Sequence, residues 1–130
     1  MVTSRLLVHD DVHHIPARAV ASAGLLGIAL VHLLDLPGKI HETPYLGWAY
    51  IGLIVAATVV AIGLVLRDER RVWQASFAIA AVTLAGFIVN RTVGMPNAMD
   101  DIGNWLEPLG LASLFVEGVV VVVSALVLAT

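Results

Sequence analysis

Of the 130 residues, 59% are hydrophobic and 13% charged, and the mean hydropathy is +0.93, well beyond the roughly 45–50% apolar and 25% charged of ordinary soluble domains. A soluble globular fold is excluded. Seven Lys+Arg against ten Asp+Glu give a formal net charge of −3, which provides no basic surface for nucleic acid. The absence of cysteine removes disulfides, thiol catalysis and thiolate metal sites.

Residues 1–16 read as a cytoplasmic N-terminal tail, and 17–130 as a single four-helix transmembrane domain. His9, Asp10, Asp11, His13 and His14 in the tail have metal-ligand chemistry, but a terminal segment is more often a solvated tail. The first span is expected over about 17–36 and is read as a retained helix, since it is too long for the apolar core of a signal peptide. A connection over Pro37–Glu42 leads to a second span at about 44–66. The charged stretch Arg67–Arg71 follows and reads as a topology determinant. A third span at about 72–91 and a fourth at about 106–129 flank a longer connection. Each is close to the roughly 20 apolar residues that cross about 30 Å of hydrocarbon. The short connections predict an all-α, membrane-spanning, up-and-down four-helix bundle.

With the N-terminus inside, Arg5, Arg18, Arg67, Arg70 and Arg71 are cytoplasmic, and Lys39 and Arg91 face out. The positive-inside rule therefore places both termini in the cytoplasm of a multi-pass protein. Tyr45, Trp48, Tyr50 and Trp105 then fall at the outer boundary and Trp73 at the inner one, as an aromatic belt requires.

Under this topology the chemistry collects in the outer half. His32 and Glu117 lie within spans, where ionisable side chains turn toward the bundle interior and mark functional sites. Side chains lean toward the N-terminus of their own helix, which brings Glu117 outward and His32 and Asn90 inward, toward one another. Asp35 sits one turn beyond His32, and His41 and Glu42 lie in the connection above it. Imidazoles and carboxylates so grouped suit zinc, copper or iron, with His32, His41 and Glu117 as candidate ligands. Asp35, Glu42, Asn90, Arg91 and Glu107 would complete a polar site for a metal ion or small polar ligand. Each has a plainer structural reading. Glu42 and Glu107 precede prolines at helix starts and suit caps, Arg91 at the outer surface could pair with Glu107 or Asp101, and Glu117 could be a hydrogen-bonded packing group. Met95 and Met99 offer thioethers to copper(I) or apolar anchors at the interface. No HExxH, GxSxG or phosphate-cradling glycine loop is present, so no catalytic residue is assigned.

Small and polar residues also form rows suited to close helix packing: Ala19, Ala23 and Gly27 on the first span, Ala78, Gly86 and Asn90 on the third, and Gly110, Ser113, Glu117 and Ser124 on the fourth. The set His32, Pro37, His41-Glu42, Pro44-x-x-Gly47, Arg91-Thr92-x-Gly94-x-Pro96, Glu107-Pro108-x-Gly110 and Glu117 resembles a group of small four-span membrane proteins of actinobacteria. In architecture alone it is similar to the DoxX-like tetraspans. The resemblance implies a four-helix bundle in a bacterial plasma membrane and no particular activity. The function expected is binding of a metal ion or small polar ligand. An assembly or accessory subunit, whose buried polar residues fix packing and a homodimer, and a small proton-coupled carrier are the alternatives.

Overall fold

The computed structural model describes the backbone of residues 2–130 and the side chains from His14 onward. It contains four helices: α1 (Val2–Glu42), α2 (Pro44–Leu66), α3 (Arg70–Thr92) and α4 (Pro108–Leu128). Among the described residues, four stretches are long and apolar enough to cross a bilayer: His14–Glu42, Pro44–Leu66, Arg70–Thr92 and Pro108–Leu128. The chain is thus a multi-pass membrane protein with a helical-bundle fold. In hydrocarbon every backbone N–H and C=O needs an internal partner, which a helix supplies throughout.

The first helix departs from the sequence reading. The connection expected over Pro37–Glu42 is helical, with Pro37 inside α1, and only Thr43 separates α1 from α2. Glu42 is therefore the last residue of α1 and does not cap α2. The tail ligands His9, Asp10, Asp11 and His13 lie outside the described side chains. His14 is described, and its Nδ1 lies 2.6 Å from Asp68 Oδ2. Trp73 Nε1 donates to the other Asp68 oxygen at 2.8 Å, so the α2–α3 connection, expected to act only in topology, also ties α1 to α3.

Helix ends leave four carbonyls without intrahelical donors. Two arginines satisfy some of these. Arg18 Nε donates to Leu64 O at 2.7 Å and its Nη2 to Val65 O at 2.8 Å. Arg70 Nη2 donates to Leu128 O at 3.1 Å. Arginines that the positive-inside count relies on thus also close the ends of α2 and α4. At its start α4 is capped by Glu107, whose carboxylate accepts from Leu109 N at 3.1 Å and Gly110 N at 2.7 Å.

Around the bundle, α1 packs between α2 and α4, and α3 packs on α4, whereas α2 and α3 touch each other less than either touches its other neighbour. Small residues set these approaches. Ala21, Leu25, Ile28, Ala57, Leu64, Trp73, Ala80 and Val120 form a buried core. Gly24 and Gly27 face Val120 and Val116 of α4 closely enough that a Cβ at Gly24 would lie 2.4 Å from Val120 Cγ2. The row expected on α4 is buried at all four positions, Gly110, Ser113, Glu117 and Ser124. On α1 the buried row is different. Ala19 and Ala23 are exposed, and Ala21, Gly24, Leu25 and Ile28 face inward; a two-residue offset on a helix turns a row by about 200°, or half a revolution and a little more.

Gly47 marks the tightest backbone approach, between α1 and α2. A Cβ there would stand 2.5 Å from Ile40 Cα, whereas one at Gly52 meets nothing within 4 Å. Gly47→Ala is expected to lower stability by about 1–3 kcal/mol through overpacking. Gly52→Ala should be neutral or slightly stabilising, because Ala is the better helix former. Thermal unfolding of the two variants in one detergent checks the contrast; equal melting temperatures would contradict it.

Candidate functional site

At the end of the bundle that carries the α1–α2 and α3–α4 connections, all four helices wall a cavity of about 490 Å3. It exists because α2 and α3 do not close on each other there. His32, Asp35, Lys39 and Glu42 come from α1, Tyr50 from α2, Asn90 and Arg91 from α3, Ser113 from α4, and Asp101 and Glu107 from the α3–α4 connection. Deeper in, the wall is mainly apolar, with Val31, Leu53 and Val82 beside Thr83, whose hydroxyl donates to Ile79 O at 2.6 Å. These lie nine to eleven residues from the helix ends, roughly 15 Å at about 1.5 Å per residue.

Arg91 organises the polar wall. It is only 8% exposed, against the surface location expected from the sequence. Its Nη1 donates to Asn90 Oδ1 at 2.6 Å and lies 3.4 Å from Asp101 Oδ2, and its Nη2 is 3.6 Å from Glu107 Oε2. Its guanidinium carbon lies 4.7 Å from the centre of the Phe87 ring, and Phe87 in turn meets Trp105 edge to face at 5.9 Å. The Arg91 carbonyl accepts from Gly103 N at 2.7 Å. One residue therefore holds both sides of the α3–α4 connection, and its counter-charges arrive from that connection and from the α4 cap. Arg91 Nε has no hydrogen-bond partner among the described residues. Gly110 leaves the room for this arrangement, since a Cβ there would be 2.9 Å from Arg91 Nη2 and 3.2 Å from Phe87.

The α1–α2 junction is fixed to the same connection. Thr43 Oγ1 donates to Asn97 O at 3.1 Å and Tyr45 OH to Pro96 O at 2.5 Å. Lys39 Nζ lies 3.7 Å from Asp101 Oδ2, so Asp101 stands between the two cations.

Opposite Arg91, His32 and Asp35 form the α1 wall. His32 is 8% exposed, and its Nδ1 lies 2.8 Å from Ile28 O. A carbonyl only accepts, so Nδ1 carries the hydrogen, and Nε2 is the acceptor in the neutral ring. No described group bonds Nε2. Tyr50 meets the His32 ring edge to face at 4.7 Å and donates its hydroxyl to Asp35 Oδ2 at 3.3 Å. Tyr50, which the sequence assigns to the aromatic belt, is thus a site residue, lying six residues into α2 and turned inward.

Six of the eight sequence-derived candidates share the cavity: His32, Asp35, Glu42, Asn90, Arg91 and Glu107. His41 is exposed and outside the lining. Glu117 is fully buried, also outside the lining, and bonded to the hydroxyl of Ser113 one turn away. Its Oε1 has no partner among the described residues. His32, His41 and Glu117 do not come together as a ligand set, and among the described residues no group of three His, Asp or Glu side chains could hold a metal ion. Met95 lines the cavity, whereas Met99 is 55% exposed and covers Gly94, so the two thioethers serve different surfaces.

Sequence reasoning missed Lys39 and Tyr50, and gave Asp101 only as a possible partner of Arg91, which it is. Lys39 and Asp101 looked like loop charges, and the helical continuation past Pro37, which carries Lys39 over the cavity, has no signal stronger than the proline that argues against it. Comparison with protein-family models, with curated proteins and with solved structures finds no match to this chain.

Replacing Arg91 with Gln should destabilise the protein by roughly 1–3 kcal/mol, because it takes from Glu107 its ion-pair partner and from Asp101 one of its two, both carboxylates being about a third exposed. The loss should shrink when Asp101→Asn is added, by the coupling of a shared network. A double-mutant cycle in thermal or denaturant unfolding measures it, and strict additivity would contradict the network.

Proposed function

We propose that the protein binds a small polar ligand in the cavity between His32, Asp35, Asn90 and Arg91. The observation that carries this reading is the cavity itself: about 490 Å3, within the roughly 300–1,000 Å3 of ligand pockets, with charged and amide side chains around one end and apolar ones below them. Polar groups in a span are costly to keep. A role in packing alone would have closed this space over them, as it does for Ser76 and Ser124, whose hydroxyls meet at 2.9 Å with no exposure. With the N-terminus inside, the cavity opens at the outer face of a bacterial plasma membrane, the setting that the actinobacterial resemblance implies. A transition metal in this site would need ligands beyond the described His, Asp and Glu groups, so the polar-ligand form of the reading is the one supported.

The buried hydroxyl pairs favour a second reading for the other half of the bundle. Ser76 with Ser124 joins α3 to α4, and Ser22 Oγ donates to Ala61 O at 3.2 Å to join α1 to α2. These residues fix helix packing, as the assembly reading requires, and they lie away from the cavity.

Gly86 provides the test. It lines the cavity, and a Cβ there meets only Met95 Cε at 3.8 Å, so Gly86→Leu puts its side chain into the space without a backbone clash. A panel of amines, polyols, carboxylates and phosphates should contain a class that raises the melting temperature of the purified protein by mass action. The same class should have no effect on Gly86→Leu, which should remain folded. A panel in which nothing acts, or one in which the effective class acts equally on Gly86→Leu, would overturn the reading.

A further inference from the structure

The ligand class follows from which cavity groups are already spoken for, and this step rests on the reading of the cavity as a binding site. Four carboxylates line it, Asp35, Glu42, Asp101 and Glu107, against two cations, Lys39 and Arg91. Both cations are engaged: Lys39 with Asp101, and Arg91 with Asp101 and Glu107. Asp35 has the Tyr50 hydroxyl as its hydrogen-bond partner, and neither Asp35 nor Glu42 has a cation within ion-pair distance among the described residues. Independently of these acids, His32, more than nine-tenths buried, turns Nδ1 to its own helix and leaves Nε2, on the far side of the ring, without a partner. The free groups of the α1 wall are therefore acceptors. They call for a donor, and the excess charge calls for a positive one.

The shape adds a second property. The deep wall is mainly apolar, and Val82 is 72% exposed while lining the cavity. A residue that is both stands at the margin of the cavity, here on the side where α2 and α3 touch least. Val82 lies ten residues before the end of α3, roughly 15 Å into the span by the helical rise, at the depth of hydrocarbon. An exit on this side would face acyl chains.

We propose that the cavity takes an amphiphilic amine from the bilayer, its ammonium held between Asp35 and His32, with Glu42, roughly 10 Å further along α1, adding negative charge at the mouth, and its apolar chain leaving between α2 and α3 past Leu53 and Val82. Tyr50 offers its ring as a further face for the cation. A free water-soluble amine would satisfy the acids equally and leave the apolar exit without a use.

The test uses the full chain in phosphatidylcholine nanodiscs with a long-chain primary amine that carries a photoreactive diazirine in its chain, beside the alcohol of the same length. The amine should label Leu53, Val82 and their neighbours at the α2–α3 opening. Labelling there should fall at least about tenfold in Asp35→Asn with Glu42→Gln, as expected for loss of a charge-assisted hydrogen bond. The alcohol should label the opening no more than it labels Phe115 and Leu126, which are exposed elsewhere on the bundle. Amine labelling spread evenly over the exposed apolar faces, or unchanged by the two substitutions, would overturn the proposal. Butylammonium in the melting assay separates the two levels of the argument. Stabilisation by butylammonium that is lost with Asp35→Asn, in a protein the long-chain probe does not label at the opening, rejects the amphiphile and keeps the polar site. Silence of the long-chain amine, butylammonium and every other solute class rejects both. Both carboxylate substitutions are isosteric and Asp35 and Glu42 are outside the buried core, so the doubly substituted protein should fold; its unchanged melting temperature without ligand serves as the check.

Discussion

A guanidinium enters a bilayer-spanning bundle only with its counter-charges and hydrogen-bond acceptors already in place, and Arg91 imposes that condition on everything around it. Its partners come from its own helix, from the α3–α4 connection and from the cap of α4. Their simultaneous arrival explains several features that would otherwise look unrelated: glycine at position 110, where a side chain would strike the guanidinium, the carboxylate cap at Glu107, and the return of the connection to the Arg91 carbonyl through Gly103. Because Asp101 also faces Lys39, the same network reaches the far end of α1.

The network holds one end of the bundle open. Helix α1 approaches α2 and α4 closely through alanines and glycines, but α2 meets α3 only sparsely, and the space between them at this end is bordered mainly by polar groups above and apolar groups below. Closing it would bury Asp35 and Glu42 without a cation at ion-pair distance, at a desolvation cost that packing does not recover. At the other end there is no such conflict. There the polar groups pair off as hydroxyl with hydroxyl or with backbone, the helices touch, and arginines close the helix ends.

The fold was legible in the sequence because the bilayer reduces it to length and hydropathy, and four apolar stretches leave few alternatives. The stripe on α4 was legible for the same reason, since small and polar residues at helical spacing have only the interior to face. Much of the polar site could be read as well: charged and amide residues near one end of a bundle have little choice of neighbours. What could not be read was phase and continuation. Proline at 37 argues for a helix end, yet α1 runs on to Glu42, which moved Lys39 over the cavity. The rotation of α1 was also ambiguous, because alanine and glycine occur on several of its faces, and the row through Ala19 and Ala23 faces outward. Glu117 shows a related limit: helical arithmetic gives its depth, while its bond to Ser113 within the same helix removes it from the cavity wall.

The central claim is that a water-reachable, acid-dominated cavity lies inside this end of the bundle, and the chain's lack of cysteine allows it to be tested with a single introduced thiol. Ser113→Cys places that thiol in the cavity wall, and Ser124→Cys places one in the closed half, where the native side chain has no exposure. The rates of reaction with a methanethiosulfonate bearing an ammonium group and one bearing a sulfonate are the measurement. The account predicts that Ser113→Cys reacts with the ammonium reagent about tenfold or more faster than with the sulfonate, as a cavity with excess carboxylate focuses cations, while Ser124→Cys reacts with neither. Equal, slow reaction at both positions, or faster reaction of the anionic reagent at Ser113→Cys, would contradict it.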